Sequence, residues 1–120
     1  MTLRGTRFHG TAVSYRVIQQ DDANATLNQN VADVGGTLKS VIVETGVKSD
    51  AYVKIFDGSA PVVGTSTPQL IFKCPKGMTQ TFELPDGFSF SYLNFWATKN
   101  ANPLDTTNPE SKTTVTLLVG

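Results

Sequence analysis

Apolar and polar residues alternate along several short segments of the chain, and this period of two predicts β-strands. In residues 37–45 the alternation leaves apolar side chains on both faces around Val41 and Val43, which predicts a strand covered on both sides. Residues 88–98 form the longest segment and the richest in aromatic rings. The other predicted strands are residues 12–18, 51–56, 70–74, 78–84 and 113–119, with an irregular, Asn-rich edge strand at residues 26–34.

Turn-forming residues separate these segments at short intervals, and no helical period is present. Pro85-Asp86-Gly87 predicts a turn between residues 78–84 and 88–98, because Pro, Asp and Gly each favour turn conformations. A bulge around residues 92–94 is expected to explain why the apolar set changes faces within the long strand. About eight short antiparallel strands predict an all-β fold, a β-sandwich of jelly-roll type, with residues 11–120 as its single domain.

The charge balance argues against partners that recognise strong positive charge. Ten basic and ten acidic side chains cancel, so neither nucleic acid nor an anionic membrane surface is an expected partner. No apolar run approaches the roughly 20 residues that span a bilayer, and the first residues lack the apolar centre of a signal peptide. Assembly in a cytoplasm is therefore expected. The single Cys74 is expected to be a buried small hydrophobe.

No arrangement of residues in the sequence indicates catalysis, a cofactor or a metal. The one histidine, His9, stands near the start of the chain and cannot assemble a nucleophile with its base or a His-rich metal site alone. The neighbouring Asp21 and Asp22 lack the spacing of a calcium loop and are expected to form a solvated turn. Turn carboxylates such as Asp57 and Asp86 are poor candidates for glycoside hydrolysis. We expect no enzymatic activity.

Aromatic side chains nevertheless allow a second class of function, the stacking of sugar rings. The candidates are Tyr52, Phe56, Tyr92 and Trp96, with Asn100, Asn102 and Asp105 as polar neighbours. Because Phe90, Tyr92 and Trp96 share one face of the predicted strand, burial in the core is favoured over sugar binding.

Residues 1–10 have no strand or helix period and allow two interpretations. They are either a frayed terminus or an extended arm that orders against a neighbouring subunit. In the second case Phe8 anchors the arm with Leu3, and Arg4 and Arg7 supply hydrogen bonds.

The order of these motifs resembles small virion proteins of tailed phages, particularly phages of aquatic bacteria. The resemblance rests on the Met-x-Leu-Arg-Gly-Thr start, the Val-Lys-Ile-Phe-Asp strand, the Pro-x-x-Gly-Thr-x-x-Pro loop, the Phe-x-Leu-Pro-Asp-Gly-Phe turn and the Thr-rich last strand. It implies a β-sandwich displayed in copies on the capsid or the tail. Together with the neutral, Thr-rich composition, the absence of catalytic motifs and the possible arm, it leads us to expect a decoration or cement protein on the outer capsid. The alternatives are a tail, neck or fibre-associated component and, in another class, a carbohydrate-binding module for host attachment.

The decoration hypothesis also predicts partners and contact residues. The expected partners are the major capsid protein or other virion proteins, together with further copies of the chain, for example in a trimer. The expected contacts lie in the arm and in the loop of residues 58–68, which is rich in Pro and Gly. They are Leu3, Arg4, Arg7, Phe8, Pro61, Val62, Val63 and Pro68.

Overall fold

The computed structural model describes residues 15–120, which form seven β-strands and no helix. The all-β prediction is confirmed, and the strands form two antiparallel sheets. The strands are β1 (Arg16–Gln20), β2 (Gly36–Thr45), β3 (Ala51–Asp57), β4 (Leu70–Cys74), β5 (Thr79–Phe90), β6 (Leu93–Thr98) and β7 (Thr113–Val119).

The two sheets contain four and three strands. The four-stranded sheet has the order β1-β7-β2-β5, and the three-stranded sheet has the order β4-β3-β6. Every pair of neighbours is antiparallel. From β2 onward the chain passes between the sheets after β2, β4, β5 and β6, so only β3 and β4 are joined within one sheet. Such long-range connections are typical of jelly rolls.

Residues 24–31 occupy the position of an eighth strand without forming one. This segment runs antiparallel to the outer edge of β6: Ala97 N donates to Asn24 O at 2.8 Å, and Val31 N donates to Leu93 O at 2.9 Å. Between these bonds only Asn28 and Phe95 form a bridge. With this segment included, each sheet has the four positions of a jelly roll.

The Asn-rich composition explains why the predicted strand at residues 26–34 was wrong. Asn24 Oδ1 accepts a hydrogen bond from Thr26 N at 2.8 Å, which replaces a ladder bond with a local turn. Asn30 and Asp33 have φ values of 48° and 66°, a left-handed conformation that a regular strand does not contain. The segment therefore follows β6 but meets it at irregular intervals.

The core lies between the two sheets. Val41, Val43, Val115 and Leu117 point inward from the four-stranded sheet, and they pack with apolar residues of β3, β4 and β6. The inward residues of the three-stranded sheet are Val53, Ile55, Cys74, Leu93, Phe95 and Ala97. Burial of these side chains, at roughly 1.5–3 kcal/mol each before entropic costs, is the main favourable contribution to folding.

The predicted boundary between residues 78–84 and 88–98 was misplaced. Pro85–Gly87 does not end a strand; it is an irregularity inside β5, opposite Lys39, where the register of β2 shifts. The chain changes sheets at Ser91 and Tyr92 instead. What was predicted as a bulge in one long strand is thus a corner between two strands in different sheets.

Two predictions of buried faces also require correction. Tyr15 and Val17, the described part of the apolar face predicted for residues 12–18, are exposed, and Ile18 packs against the core instead. Val13 lies outside the described residues. In β2 the shift between Leu38 and Ser40 turns Leu38, Val41 and Val43 to the core, whereas Ile42 lies on the solvent side. This strand is therefore covered on one side near Val41 and Val43.

Candidate functional site

The outer face of the three-stranded sheet is covered by other parts of the chain. Residues that alternate with the core positions point to this face, yet Lys54, Trp96 and Asn94 are each at most 1% exposed. Lys54 and Trp96 are partners across the β3–β6 pair. Lys54 Nζ donates to the backbone carbonyl of Asn102 at 2.5 Å, which shows that the loop between β6 and β7 lies over this face. A second, smaller buried layer results.

The loop between β3 and β4 presents a rigid apolar tip. Val62 N donates to Ser66 Oγ at 2.9 Å, and Val62 O accepts from Thr65 N at 3.0 Å and Ser66 N at 2.8 Å. Pro61 and Pro68 are buried on either side of this turn. The Val62 side chain is nevertheless 57% exposed. The loop is therefore ordered from within and leaves one valine available for a contact.

This loop touches the loop between β6 and β7. A Cβ atom at Gly64, where φ is 91°, would lie 2.7 Å from Thr106 Cγ2. Any larger residue would thus push the two loops apart and would also be strained by the positive φ. The second loop presents Leu104, which is 47% exposed. We call residues 58–69 and 99–112 the paired loops.

Asp57 and Asn94 fix the base of the first loop. Asp57 Oδ1 accepts hydrogen bonds from Ser91 N at 2.8 Å and Tyr92 N at 3.0 Å, so it holds the corner between β5 and β6. Asn94 Nδ2 donates to the carbonyls of Phe56 at 2.9 Å and Gly58 at 2.8 Å. The end of β3, the start of the loop and the corner are therefore one hydrogen-bonded unit.

Lys54 is an unusual residue for this layer, because a buried ammonium group loses its hydration. Desolvation lowers the pKa of Lys54 from its ordinary value of 10.5, and the nearby Asp105 carboxylate partly opposes that shift. Burial of Lys54 was not predicted, since its alternation with Val53 and Ile55 indicated a solvent-facing position. A lysine between two aromatic residues, Tyr52 and Phe56, was the available signal in the sequence.

The predicted site residues are placed as follows. Of the loop candidates, Val62 is exposed, Val63 is partly exposed, and Pro61 and Pro68 are buried within the domain. The two prolines therefore shape the loop, and Val62 is the most exposed of the four candidates. The arm candidates Leu3, Arg4, Arg7 and Phe8, like His9, lie outside the described residues.

The aromatic candidates for sugar stacking do not form one surface. Trp96 is 0% exposed, so its ring cannot reach a ligand in this structure. Tyr52 and Tyr92 lie near opposite ends of the β3–β6 pair, and Phe56 is partly buried. Asp105 is engaged within its own loop: slight burial raises its pKa, but hydrogen bonds from Thr107 and Asn100 outweigh this and lower the pKa. Of the aromatic candidates, Tyr52 lies beside Asn100, at a cleft described below.

The described residues offer little reactive chemistry. No group of three or more metal-ligating side chains occurs within residues 15–120. Cys74 is buried, as predicted, and its thiol lies 3.4 Å from Val43 O and 3.3 Å from Met78 O. Burial raises the pKa of this thiol, which disfavours the reactive thiolate. In the same part of the chain, no helix is long and apolar enough to cross a membrane.

Comparisons with known proteins identify no family for this chain. No known protein-family model matches the sequence, and no curated protein matches it. Among solved structures, the coat protein of Tobacco streak virus is similar over 88% of this chain and 85% of that chain, with 9% sequence identity and a TM-score of 0.35. A likeness at this TM-score carries no argument about fold or function.

Proposed function

We propose that the chain is a structural protein of a phage virion that binds the outer capsid in many copies as a decoration or cement protein. The resemblance of its motif order to small virion proteins of tailed phages supports this proposal. The jelly-roll order of the strands is compatible with it, because jelly rolls serve in viral capsids, although the same fold also serves in lectins.

The observation that carries the proposal is the exposed Val62 at the tip of an internally bonded loop. A loop that is already ordered loses little conformational entropy when it docks, so a single apolar side chain contributes more to affinity. The adjacent loop adds Leu104 to the same paired loops. The major capsid protein is the proposed partner of this surface, and oligomer formation, for example a trimer, multiplies the contacts made by each assembly.

Substitution of Val62 by Asp tests the proposed contact. The side chain is exposed, so the fold should tolerate the change, while a charge in an apolar interface should weaken capsid binding by about tenfold or more. Val47→Asp is the matched control, because Val47 is 78% exposed and precedes β3, whereas Val62 follows it. The measurement is co-sedimentation of each purified variant with capsids that lack the protein. Equal binding by both variants would exclude the paired loops as the contact.

The N-terminal arm is a second proposed contact. Deletion of residues 1–10 should reduce oligomer size or capsid binding if Leu3, Arg4, Arg7 and Phe8 reach a neighbouring subunit. Multi-angle light scattering gives the oligomer mass, and co-sedimentation gives the binding. If both measurements match those of the full chain, the arm has no role in assembly.

A location on the tail or neck is the alternative within the same class. Copy number separates the two locations, because a decoration protein accumulates to a level comparable with the major capsid protein, whereas a ring component is present at the level of one ring per particle. Quantitative mass spectrometry of purified virions measures this ratio. Absence of the chain from virions would overturn the proposal as a whole.

A further inference from the structure

A polar cleft of about 360 Å³ lies at the end of the sandwich where β3 begins. Three connections form its walls: residues 46–50 before β3, residues 75–78 before β5, and the first residues after β6. Its volume falls within the range of roughly 300–1,000 Å³ that small-molecule sites occupy. The lining includes Tyr52, Asn100, Asp50 and three lysines, Lys48, Lys76 and Lys99.

Hydrogen bonds between different loops hold the walls of this cleft. Lys48 N donates to Ser111 Oγ at 2.8 Å, and Glu110 N donates to the buried Ser49 hydroxyl at 2.9 Å. On the other side, Lys76 N donates to Asp50 Oδ1 at 2.9 Å. The backbone of the cleft is thus set without a ligand, which lowers the entropic cost of binding one.

The cleft carries an excess of positive charge, although the chain as a whole has a formal net charge of zero. The lining residues include three lysines and one aspartate, and the carboxylate of Glu110 lies beside Lys99 and near Lys48. Within residues 15–120 the ion pairs are Lys73 with Asp50 and Lys99 with Glu110, so neither Lys48 nor Lys76 has a carboxylate within salt-bridge distance. These two ammonium groups remain available to an anion.

We infer that the cleft binds an acidic saccharide, with its carboxylate near Lys48 and Lys76 and its ring against Tyr52. The lysines supply charge-assisted hydrogen bonds to the carboxylate. Tyr52 supplies an aromatic surface. One amide N–H of Asn100 is bonded to Asp105, and the amide oxygen and second N–H can bond to sugar hydroxyls. The inference goes beyond the assembly role and does not depend on it, because neither Val62 nor Leu104 is among the residues that line the cleft.

The test compares two oligosaccharides of equal length, a galacturonic acid oligomer and a neutral galactose oligomer, by isothermal titration calorimetry with the full chain. The acidic oligomer should bind about tenfold more tightly or better, and the difference should shrink as salt concentration rises. The double variant Lys48→Gln/Lys76→Gln should lose that preference. The double variant Lys39→Gln/Lys112→Gln removes the same charge outside the lining and should bind within about twofold of the unmodified chain.

The outcomes distinguish a specific saccharide site from nonspecific electrostatic attraction of an anion. Equal losses in the two double variants, or equal binding of the acidic and neutral oligomers, would overturn the inference. Inorganic phosphate serves as a further probe, and phosphate binding as tight as that of the acidic oligomer would show that the cleft accepts a bare anion, not a sugar. Replacement of Tyr52 by Leu keeps an apolar side chain and should weaken binding of the oligomer about fivefold or more, without changing phosphate binding.

Discussion

The two outer faces of the sandwich differ in how far other parts of the chain cover them. Within residues 15–120, the outer face of the four-stranded sheet is open and carries Thr81, Thr116 and Ile42, each of which retains contact with solvent. The outer face of the three-stranded sheet is covered by the paired loops, and beneath them Trp96 and Lys54 are fully buried. Both faces alternate with core positions along their strands. The difference therefore arises from the connections, since the strands themselves have the same period.

This contrast shows what a covering layer adds to a sheet. An open face can be built from Thr, because a β-branched side chain with a hydroxyl suits a strand and remains hydrated. On a covered face, polar groups need hydrogen-bond partners and apolar groups lose contact with water. Here the covered residues are Trp96, Asn94 and Lys54. Hydrogen bonds within the first paired loop and its contact with Thr106 order the backbone around Val62. The covered face thus connects the interior to the proposed contact.

Substitution of Trp96 by Ala should have the largest effect of the variants that test this contrast. Removal of a fully buried tryptophan leaves a cavity beneath the paired loops and should cost about 3–5 kcal/mol in the free energy of unfolding. The control is Ile42→Ala on the open face, which should cost about 1 kcal/mol or less because Ile42 keeps 36% of its surface exposed. Urea denaturation measures both. Similar costs would mean that the covered face adds little stability.

Strand positions were predictable from the sequence where the whole segment belongs to one sheet. The period of two located β2, β3, β4 and β7 to within about a residue, because each of these segments stays within one sheet. The prediction of a single strand at residues 88–98 was wrong because this segment passes from one sheet to the other. Phe90 belongs to the four-stranded sheet and Trp96 to the three-stranded sheet, and a corner at Ser91–Tyr92 lies between them. The apolar set changes faces at that corner, but the pattern alone does not distinguish a bulge within one strand from a passage between two sheets.

The covered layer was not predictable for a related reason. Burial of Lys54 depends on residues 99–112, which lack any period and are about fifty positions away in sequence. Local patterns report which way a strand residue points, but they do not report whether a distant loop lies over it. The same holds for the polar cleft, whose walls come from three separate connections. The loop of residues 58–68 was recognised as structured because its prolines restrict the backbone locally and its glycines permit tight turns.

Asp57 tests whether the corner supports the covered face. Asp57→Ala removes the acceptor for Ser91 N and Tyr92 N and should cost about 1–2 kcal/mol, because both donors lie near solvent and water replaces part of the lost bonding. Asp86→Ala is the matched control, since Asp86 is exposed on the open sheet's irregular edge. Thermal unfolding compares the two variants. A loss for Asp57→Ala no greater than that for Asp86→Ala would exclude a structural role for the corner carboxylate.

The pH dependence of the free energy of unfolding tests whether Lys54 is buried on the covered face. Its pKa is lowered in the folded chain, chiefly by desolvation, from an ordinary value of 10.5. Between the two pKa values the unfolded chain binds more protons than the folded chain, so stability rises with pH in that window. Below the folded-state pKa the cost of burying the ammonium group is complete and constant.

The variant Lys54→Met keeps the length of the side chain and removes the titrating group. At pH 7 its stability should lie within about 1 kcal/mol of the unmodified chain, because relief of desolvation opposes the lost hydrogen bond to Asn102. As pH approaches 10.5, the unmodified chain should gain stability relative to Lys54→Met. Lys73→Met, at an exposed position, controls for general charge effects. A parallel pH dependence of the unmodified chain and Lys54→Met would show that Lys54 is hydrated in solution.

The smallest change is expected on the open face, where Thr and Val have nearly the same shape. Thr116→Val alters only a solvent-side hydroxyl and should change the free energy of unfolding by less than about 0.5 kcal/mol. Its neighbour Val115 faces the core on the same strand and is 0% exposed. Val115→Thr buries an unpaired hydroxyl and should cost about 1–3 kcal/mol. Because the two exchanges are opposite in chemistry and adjacent in sequence, denaturant unfolding of this pair isolates the difference between a face open to water and one that is not. A cost above 1 kcal/mol for Thr116→Val would mean that this face is covered in solution, for instance by another copy of the chain.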